Sequence, residues 1–321
     1  MANRVLRMIF SMMEIVLVII VAALYYMATP VRLASTQIYI PAGNINHTVL
    51  YLKAHTLPTT KLDAWLLALL GQPQRGWIEL GGRSMSRLDF LYRLTHSKAP
   101  LFSIKLIPGE TTYLFLEQLH RKFGYPLNVL RKEYERVSPY PEGVLFPDTY
   151  YLPKGMGAKE VIDYLVGVSL RKHKELAKKI YHGYNQKMWF EKMVTIASII
   201  QKEAANAKEM PIISSVIYNR LKKDIPLQMD GTLNYAQYSH TKVTHERIQK
   251  DMSAFNTYHH KGLPPYPVCT VSLEALKAAV RPAKTRYLYF VKGIDGRHIF
   301  SVTYKNHLKN IKIVKKRNKK E

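Results

Sequence analysis

The sequence of 321 residues has a single cysteine, Cys269, and few acidic residues. One cysteine excludes an intrachain disulfide and a thiol metal cluster, so we predict no metal site, and we also expect no cofactor. Lys and Arg number 48 against 23 Asp and Glu, and the formal charge of +25 points to an anionic partner. Because zinc-finger spacing and an RNA-binding aromatic signature are lacking, we expect an acidic polymer or a membrane surface rather than nucleic acid.

The sequence also has only one long hydrophobic run. Residues 8–28 are almost wholly apolar, with Glu14 as the one charge. A helix of this length spans roughly the 30 Å hydrocarbon core of a bilayer. Arg4 and Arg7 precede the run, which predicts a cytoplasmic amino end. We therefore expect an uncleaved signal anchor rather than a cleaved signal peptide, with residues 30–321 outside the cytoplasm.

A weak internal repeat follows this run. Residues 37–55 resemble residues 103–120, and each predicts a strand, an Ile-Pro and glycine turn, and a helix. Between them, residues 76–97 predict a strand, a Gly-Gly turn and a helix that Ser86 opens. These patterns predict small α+β modules over residues 35–139.

The second half has a different pattern. Residues 140–155 are rich in turn residues and aromatics, which is typical of a junction, and residues 156–223 read as mostly helical. We expect loops over 224–268, then a helix, and a hairpin that turns at Asp295 and Gly296. The fold class is therefore α+β, with predicted regions 1–30 (tip and transmembrane anchor), 35–139 (modules), 140–308 (a mixed, mostly helical domain ending in a β element) and 309–321 (a basic, solvated tail).

Glu203 closes the segment ASIIQKEA and is the strongest candidate for a functional residue. Ile196, Ile199 and Ile200 precede it by seven, four and three positions, so a helix would place all four side chains on one face. A carboxyl group on an apolar face is partly desolvated, which raises its pKa and suits it to general acid catalysis. Taken alone, the pattern also fits a solvated glutamate at a helix end.

Three polar clusters lie downstream of Glu203. They comprise residues 218–220, residues 226–236 and residues 255–268, which together carry amides, hydroxyls and aromatic rings. Such groups hydrogen-bond to sugar hydroxyls and stack on pyranose faces. Each cluster alone is more often turn chemistry, as in the Asp230-Gly231 pair.

In this order and spacing, the segments ASIIQKEA, SVIYNRL, PLQMDGTLNYA, NTYHHKGLPPYPV and LYFVKGIDGRHIFSVTYKNH resemble the YceG-like family, as does EGVLFPDTYYLP. These are endolytic murein transglycosylases of the MltG type. The resemblance implies a membrane-anchored lyase with a LysM-like subdomain and a catalytic domain. Its expected reaction cleaves the β-1,4 bond between MurNAc and GlcNAc inside nascent peptidoglycan strands. It leaves 1,6-anhydro-MurNAc ends and terminates strand elongation.

The resemblance places the family's essential glutamate on Glu203, which would act first as acid and then as base. The substrate-binding positions that it implies are Asn219, Arg220, Gln228, Asp230, Thr232, Asn256 and Tyr258, with Thr257 in the same run. The sequence departs from the family where Gly231 replaces a common proline, Tyr266 replaces a usual glycine, and 270–272 replace Asn-Pro-Gly. These departures concern mainly the shape of the loop over 264–272.

Two alternatives remain open from the sequence. A muramidase would hydrolyse the same bond with Glu203 and Asp230 as a carboxylate pair. A membrane-anchored scaffold would bind the cell wall without catalysis, through its modules and basic surface. The resemblance also implies a cell inner membrane location, glycan strands as partners, and peptidoglycan synthases as candidate partners by analogy.

Overall fold

The computed structural model describes residues 2–55, 57, 59–153, 155–181 and 183–318. It is an α+β protein whose chain divides into two compact units. The first runs from the amino end to Ser103 and includes Tyr151–Met156. The second comprises Ile104–Tyr150 and the chain from Gly157 onward. The second unit thus begins earlier in the chain than the predicted boundary at residue 140.

The first unit opens with helix α1 (Ala2–Ala28). Its segment Leu6–Ala28 is long and apolar enough to cross a membrane, and none of its most apolar stretch is buried against protein. This is compatible with a single-pass anchor. The end of α1 is held to the rest of this unit by Tyr26, whose hydroxyl donates to Asp63 Oδ1 at 3.1 Å. The side chains of residues 2–5, and so the predicted role of Arg4, lie outside the described part.

Among its described residues, this unit also contains two antiparallel strand pairs and the three helices that pack with them. Strand β1 (Pro30–Arg32) pairs with β4 (Ser84–Ser86), and β2 (Gln37–Ile40) pairs with β3 (Gly76–Glu79). The helices are α2 (Ile45–His55), α3 (Lys61–Leu70) and α4 (Arg87–His96), and their apolar faces share one core with the strands. Ser86 caps α4 by accepting from the Asp89 N–H, which confirms the predicted helix start.

The second copy of the repeat begins at the boundary between the units. Strand β5 (Leu101–Leu106), whose last three residues belong to the second unit, leads through a glycine turn to α5 (Thr112–Phe123), as predicted, and α6 (Leu127–Val137) follows. Strand β6 (Asp148–Pro153) pairs with β5, although the sequence predicted only a turn-rich junction there. Helix α7 (Ala158–Ile180) then opens the helical region.

A buried helical segment carries Glu203. It consists of α8 (Gln186–Met188), a π-helical turn at Trp189–Val194, and α9 (Thr195–Glu203). Ile196, Ile199 and Ile200 are fully buried, which confirms the predicted apolar face. Burying this face fixes α9 in the core, so its last residue is held in one position.

The remaining elements follow α9 along the chain. They are α10 (Met210–Lys222), 3-10 turns at Asp230–Leu233 and Ala236–Tyr238, α11 (His245–Lys250), α12 (Leu273–Val280), strands β7 (Tyr289–Lys292) and β8 (His298–Ser301), and α13 (Tyr304–Asn318). Of these, α10, α12 and the first 3-10 turn pack against α9. Pro211 lies in the first turn of α10, and β7 pairs with β8, both as predicted. Loops dominate residues 224–268, as predicted, with the two 3-10 turns and α11 between them. The predicted tail is helical to Asn318, and residues 319–321 lie outside the described part.

The hairpin of β7 and β8 is held to the start of α10 by buried hydrogen bonds between His298 and Glu209. His298 Nδ1 lies 2.7 Å from Glu209 Oε2, and the His298 N–H donates to Oε1 at 3.0 Å. Both side chains are more than nine-tenths buried. Burial acts to raise the pKa of Glu209, but the hydrogen bonds from His298 outweigh it, so the pKa lies below its ordinary value.

We predict that Glu209→Gln lowers the unfolding free energy at pH 7 by roughly 1.5–3 kcal/mol, because a charged hydrogen bond is lost. A lowered folded-state pKa stabilises the protein above the unfolded value of 4.5, and this stability is lost as pH falls through the folded pKa. The difference between wild type and variant should therefore shrink below about pH 4. Thermal unfolding of the full chain in detergent measures it.

The matched control is Glu246→Gln, which breaks the exposed pair between Glu246 and Lys250 on α11. An exposed pair contributes at most about 1 kcal/mol, so this variant should unfold close to wild type. Equal effects of the two variants at pH 7 would contradict a special role for the Glu209 pair.

Candidate active site

Glu203 lies at the rim of a cavity of about 300 Å³ in the second unit. The helix ends there, since the backbone of Ala204 is already extended. The apolar face of α9 is buried in the core, while Glu203 is half-buried and lines the cavity. Glu203 continues the apolar face of α9, so its carboxyl group lies at the boundary between the core and the cavity.

The Glu203 carboxyl group has a raised pKa. Its pKa is about 7, above the ordinary value of 4.5. Burial is the largest cause of this rise, the Gly231 N–H that donates to Oε1 acts against it, and the nearby charge of Asp230 adds to it. The bond from Gly231 is short, at 2.7 Å. A carboxyl group with this pKa is substantially protonated near neutral pH and can donate a proton.

Gly231 approaches Glu203 too closely for any side chain. A Cβ atom on Gly231 would lie 2.6 Å from Lys202 Cβ and 2.9 Å from Glu203 Oε1. Contacts under 3 Å require the backbone to move. The glycine also supplies the N–H that donates to the carboxyl group, so this position acts directly on the candidate acid.

Asp230 and Tyr258 form a polar pair in the same cavity. The Tyr258 hydroxyl donates to Asp230 Oδ1 at 2.7 Å. Burial raises the pKa of Tyr258, and its bond to Asp230 raises the pKa further, so it remains a hydrogen-bond donor. Asp230 is exposed to the cavity, and one of its oxygens is already engaged.

Arg220 forms the buried floor of the cavity. Its guanidinium group donates to the carbonyl oxygens of Leu288, Pro226 and Leu227 at 2.6 to 3.0 Å. It also donates to Gln228 Oε1 at 3.2 Å. Gln228 is exposed, lines the cavity and has a positive φ of 50°. Arg220 therefore joins the 226–228 segment to the strand hairpin.

Three further predicted residues do not line this cavity. Asn219 donates to the carbonyl oxygens of Thr285 and Tyr287, at 3.0 and 2.9 Å. Asn256 is fully buried and bonds to main-chain carbonyls of the 248–251 segment. Thr232 is also fully buried and donates to the Met229 carbonyl at 2.8 Å. Asn219 holds the segment before β7, whereas Asn256 and Thr232 brace the loops near Tyr258 and Asp230. Contact of these three side chains with substrate stays a prediction.

Four aromatic side chains complete the cavity and were not predicted as site residues. They come from the carboxyl-terminal hairpin and helix: Tyr289, Phe290, Tyr304 and His307. His307 stacks on Tyr289 with ring centroids 5.3 Å apart, and burial lowers the pKa of this imidazole. The sequence motifs LYFVKG and TYKNH contain these four residues, but only the tertiary fold brings them close to Glu203. Among the described residues, no group of His, Cys, Asp and Glu is arranged to hold a metal.

The site combines a candidate general acid with side chains that suit a sugar ligand. A half-buried carboxyl group that titrates near neutral pH faces a cavity with aromatic walls and a polar Asp230–Tyr258 pair. Aromatic faces and hydroxyl donors suit sugar rings. The geometry thus fits acid catalysis on a carbohydrate.

Comparison with known proteins finds relatives that are each named endolytic murein transglycosylase. An endolytic murein transglycosylase of Bacillus subtilis strain 168 is 34% identical over 201 residues, covering 61% of this chain and 53% of that protein. One of Streptococcus pneumoniae serotype 2 strain D39 is 30% identical over 254 residues, covering 77% and 44%. The chain thus spans about half the length of the curated relatives it matches.

A solved structure and a family model agree with these relatives. The crystal structure of a yceG-like protein from Listeria monocytogenes has a TM-score of 0.55 and 25% identity, covering 88% of this chain and 99% of that one. The model of the YceG-like family matches residues 38–313, which is most of the sequence. The chain therefore belongs to the YceG-like family.

Proposed function

We propose that this chain is an endolytic peptidoglycan lytic transglycosylase that cleaves the β-1,4 bond between MurNAc and GlcNAc within glycan strands. The observation that carries the proposal is the Glu203 carboxyl group, with its pKa near 7, at the rim of an aromatic-walled cavity. The names of the relatives support the reaction class. The products would carry 1,6-anhydro-MurNAc ends, and the cut would terminate strand elongation.

In the proposed mechanism, protonated Glu203 donates its proton to the glycosidic oxygen as the bond to the MurNAc anomeric carbon breaks. GlcNAc leaves with that proton, and positive charge develops on MurNAc. The MurNAc 6-hydroxyl oxygen then bonds to the anomeric carbon and passes its proton to the Glu203 carboxylate. The acid is regenerated and no water is consumed, so the reaction is formally a lyase step.

Asp230 supports a second candidate, a muramidase. It is a second carboxylate in the same cavity, as hydrolysis by a carboxylate pair requires. Its bond from Tyr258 favours a positioning role instead, because one oxygen is already engaged by a donor. The mass of the product separates the two reactions, since a hydrolysed end is heavier by one water.

We propose that α1 anchors the chain in the cell inner membrane with its amino end in the cytoplasm. Arg7 before the apolar run supports this orientation. The strand–helix–helix–strand order from β2 to β3 supports a LysM-like module that binds glycan. Peptidoglycan synthases remain candidate partners by family analogy. A non-catalytic scaffold would share these features, but it would not need the raised pKa of Glu203.

We predict that Glu203→Gln lowers the release of anhydro-muropeptides by at least about 10²-fold, because Gln cannot transfer a proton. The assay digests glycan strands with the full chain in detergent and weighs the products. The paired variant Asp230→Asn should still yield the anhydro product. Undiminished release by Glu203→Gln would refute the assignment of the acid. Wild-type products heavier by one water would establish the muramidase instead.

We also predict that Gly231→Ala slows turnover by at least about 10-fold while the protein stays folded. The added Cβ would displace the 3-10 turn or the Glu203 carboxyl group, and small displacements of a catalytic group are costly. The control Gly167→Ala adds a Cβ in α7, where the nearest atom is 3.6 Å away. Equal rates for both variants would show that the close approach at Gly231 does not matter.

A further inference from the structure

A second cavity in the same unit has no role in the proposed reaction. It has a volume of about 180 Å³, and its walls include Tyr113, Tyr134, Tyr235, Tyr266, Arg131 and Glu142. We call it the tyrosine cavity. We propose that it is a second carbohydrate subsite, which binds a sugar of the same glycan strand beyond those held at Glu203.

Two of its tyrosines are fixed by one phenylalanine. Tyr235 stacks on Phe255 with ring centroids 4.5 Å apart and planes at 19°. Tyr266 meets the same ring edge-on, at 4.9 Å and 73°. Phe255 is buried, whereas both tyrosines are half-buried. Rigid, half-exposed aromatic rings present apolar faces at little entropic cost, which suits stacking on a pyranose.

The polar groups of the cavity are also fixed in position. Arg131 lies over the Tyr113 ring at 4.4 Å, and its Nε has no hydrogen-bond partner among the described residues. The buried Glu142 accepts from the Thr112 N–H and hydroxyl and from the Gly143 N–H, at 2.7 to 2.8 Å. A rim of arginine and tyrosine hydroxyls can bind sugar hydroxyls and acetamido groups.

One chain segment connects this cavity with the catalytic one. Residues 228–230 line the cavity of Glu203, and Tyr235 and Ala236 line the tyrosine cavity. Even fully extended, the five residue-to-residue steps from Asp230 to Tyr235 span at most about 18 Å. The Gly231 N–H is bonded to Glu203, and the Ala236 carbonyl accepts from the Thr111 hydroxyl at 2.8 Å. Both cavities are therefore held within reach of one short glycan.

Tyr266 belongs to the loop over 264–272. This loop contributes Tyr266 and Pro267 to the tyrosine cavity and no residue to the cavity of Glu203. A substitution at Tyr266 therefore changes the second cavity and not the lining of the catalytic one. The inference rests on the proposed function for the identity of the polymer, but it concerns binding alone.

The test measures binding without turnover, using the full chain with Glu203→Gln in detergent. The probes are glycan strands without stem peptides, either long or cut to a disaccharide, which is too short to reach both cavities, and titration calorimetry gives both affinities. Adding Tyr266→Gly should weaken binding of long strands by roughly fivefold to tenfold, with no change for the disaccharide. Tyr266→Phe should retain the affinity. The control is Tyr151→Ala, which removes an exposed tyrosine of β6.

Equal affinity of long strands before and after Tyr266→Gly would overturn the inference, and so would an equal loss for the disaccharide. A parallel titration uses long strands that carry stem peptides, and a loss seen only with these strands would also overturn the inference, since the cavity would then bind peptide. The outcome is separable from the proposed reaction. If the wild-type chain releases no anhydro product but the length-dependent loss is found, the reaction fails and the subsite stands.

Discussion

The hydrogen bond between the Gly231 N–H and the Glu203 carboxyl group is the interaction on which the site depends. It joins the end of the buried helix α9 to the 3-10 turn that carries Asp230. Burial raises the pKa of Glu203 and the Gly231 N–H limits that rise, so the net value near 7 reflects both. The bond also fixes the direction of the carboxyl group, which a solvated glutamate would not maintain.

Much of the surrounding structure keeps this turn in place. Buried polar side chains bond to main-chain carbonyls, as Arg220 does at Leu227 and Thr232 does at Met229. Such bonds satisfy the polar backbone of an irregular region that lacks regular pairing. The Glu209–His298 pair holds the hairpin that supplies aromatic walls. The catalytic cavity therefore combines a rigid core helix with loops that are individually braced.

The sequence predicted the features that depend on local pattern. The apolar face ending at Glu203, the cap at Ser86 and the proline start of α10 all follow from short-range rules, and all are found. Strand β6 was missed because prolines and turn residues surround it, so only its pairing with β5 reveals it. Helix α11 was missed because it is six residues long and polar. Helix α13 was missed because its charged surface is typical of a solvated tail.

The candidate site residues were predictable from the sequence only where a local motif carries them. Glu203, Asp230 and Tyr258 lie together as the motifs suggest. Asn219 and Asn256 belong to the same motifs, but their amides bond to backbone carbonyls, which sequence cannot distinguish from binding to a sugar. Tyr289 and His307 reach the cavity only through the tertiary fold, so no local rule places them.

The central claim is that Glu203 is a protonated acid near neutral pH, and its own titration tests this most directly. Carbon-13 NMR of the full chain in detergent, with labelled glutamate carboxyl groups, would follow each carboxyl against pH. The resonance absent from Glu203→Gln assigns the signal. The structure predicts a midpoint near pH 7 for this group. A midpoint near the ordinary value of 4.5 would contradict the account.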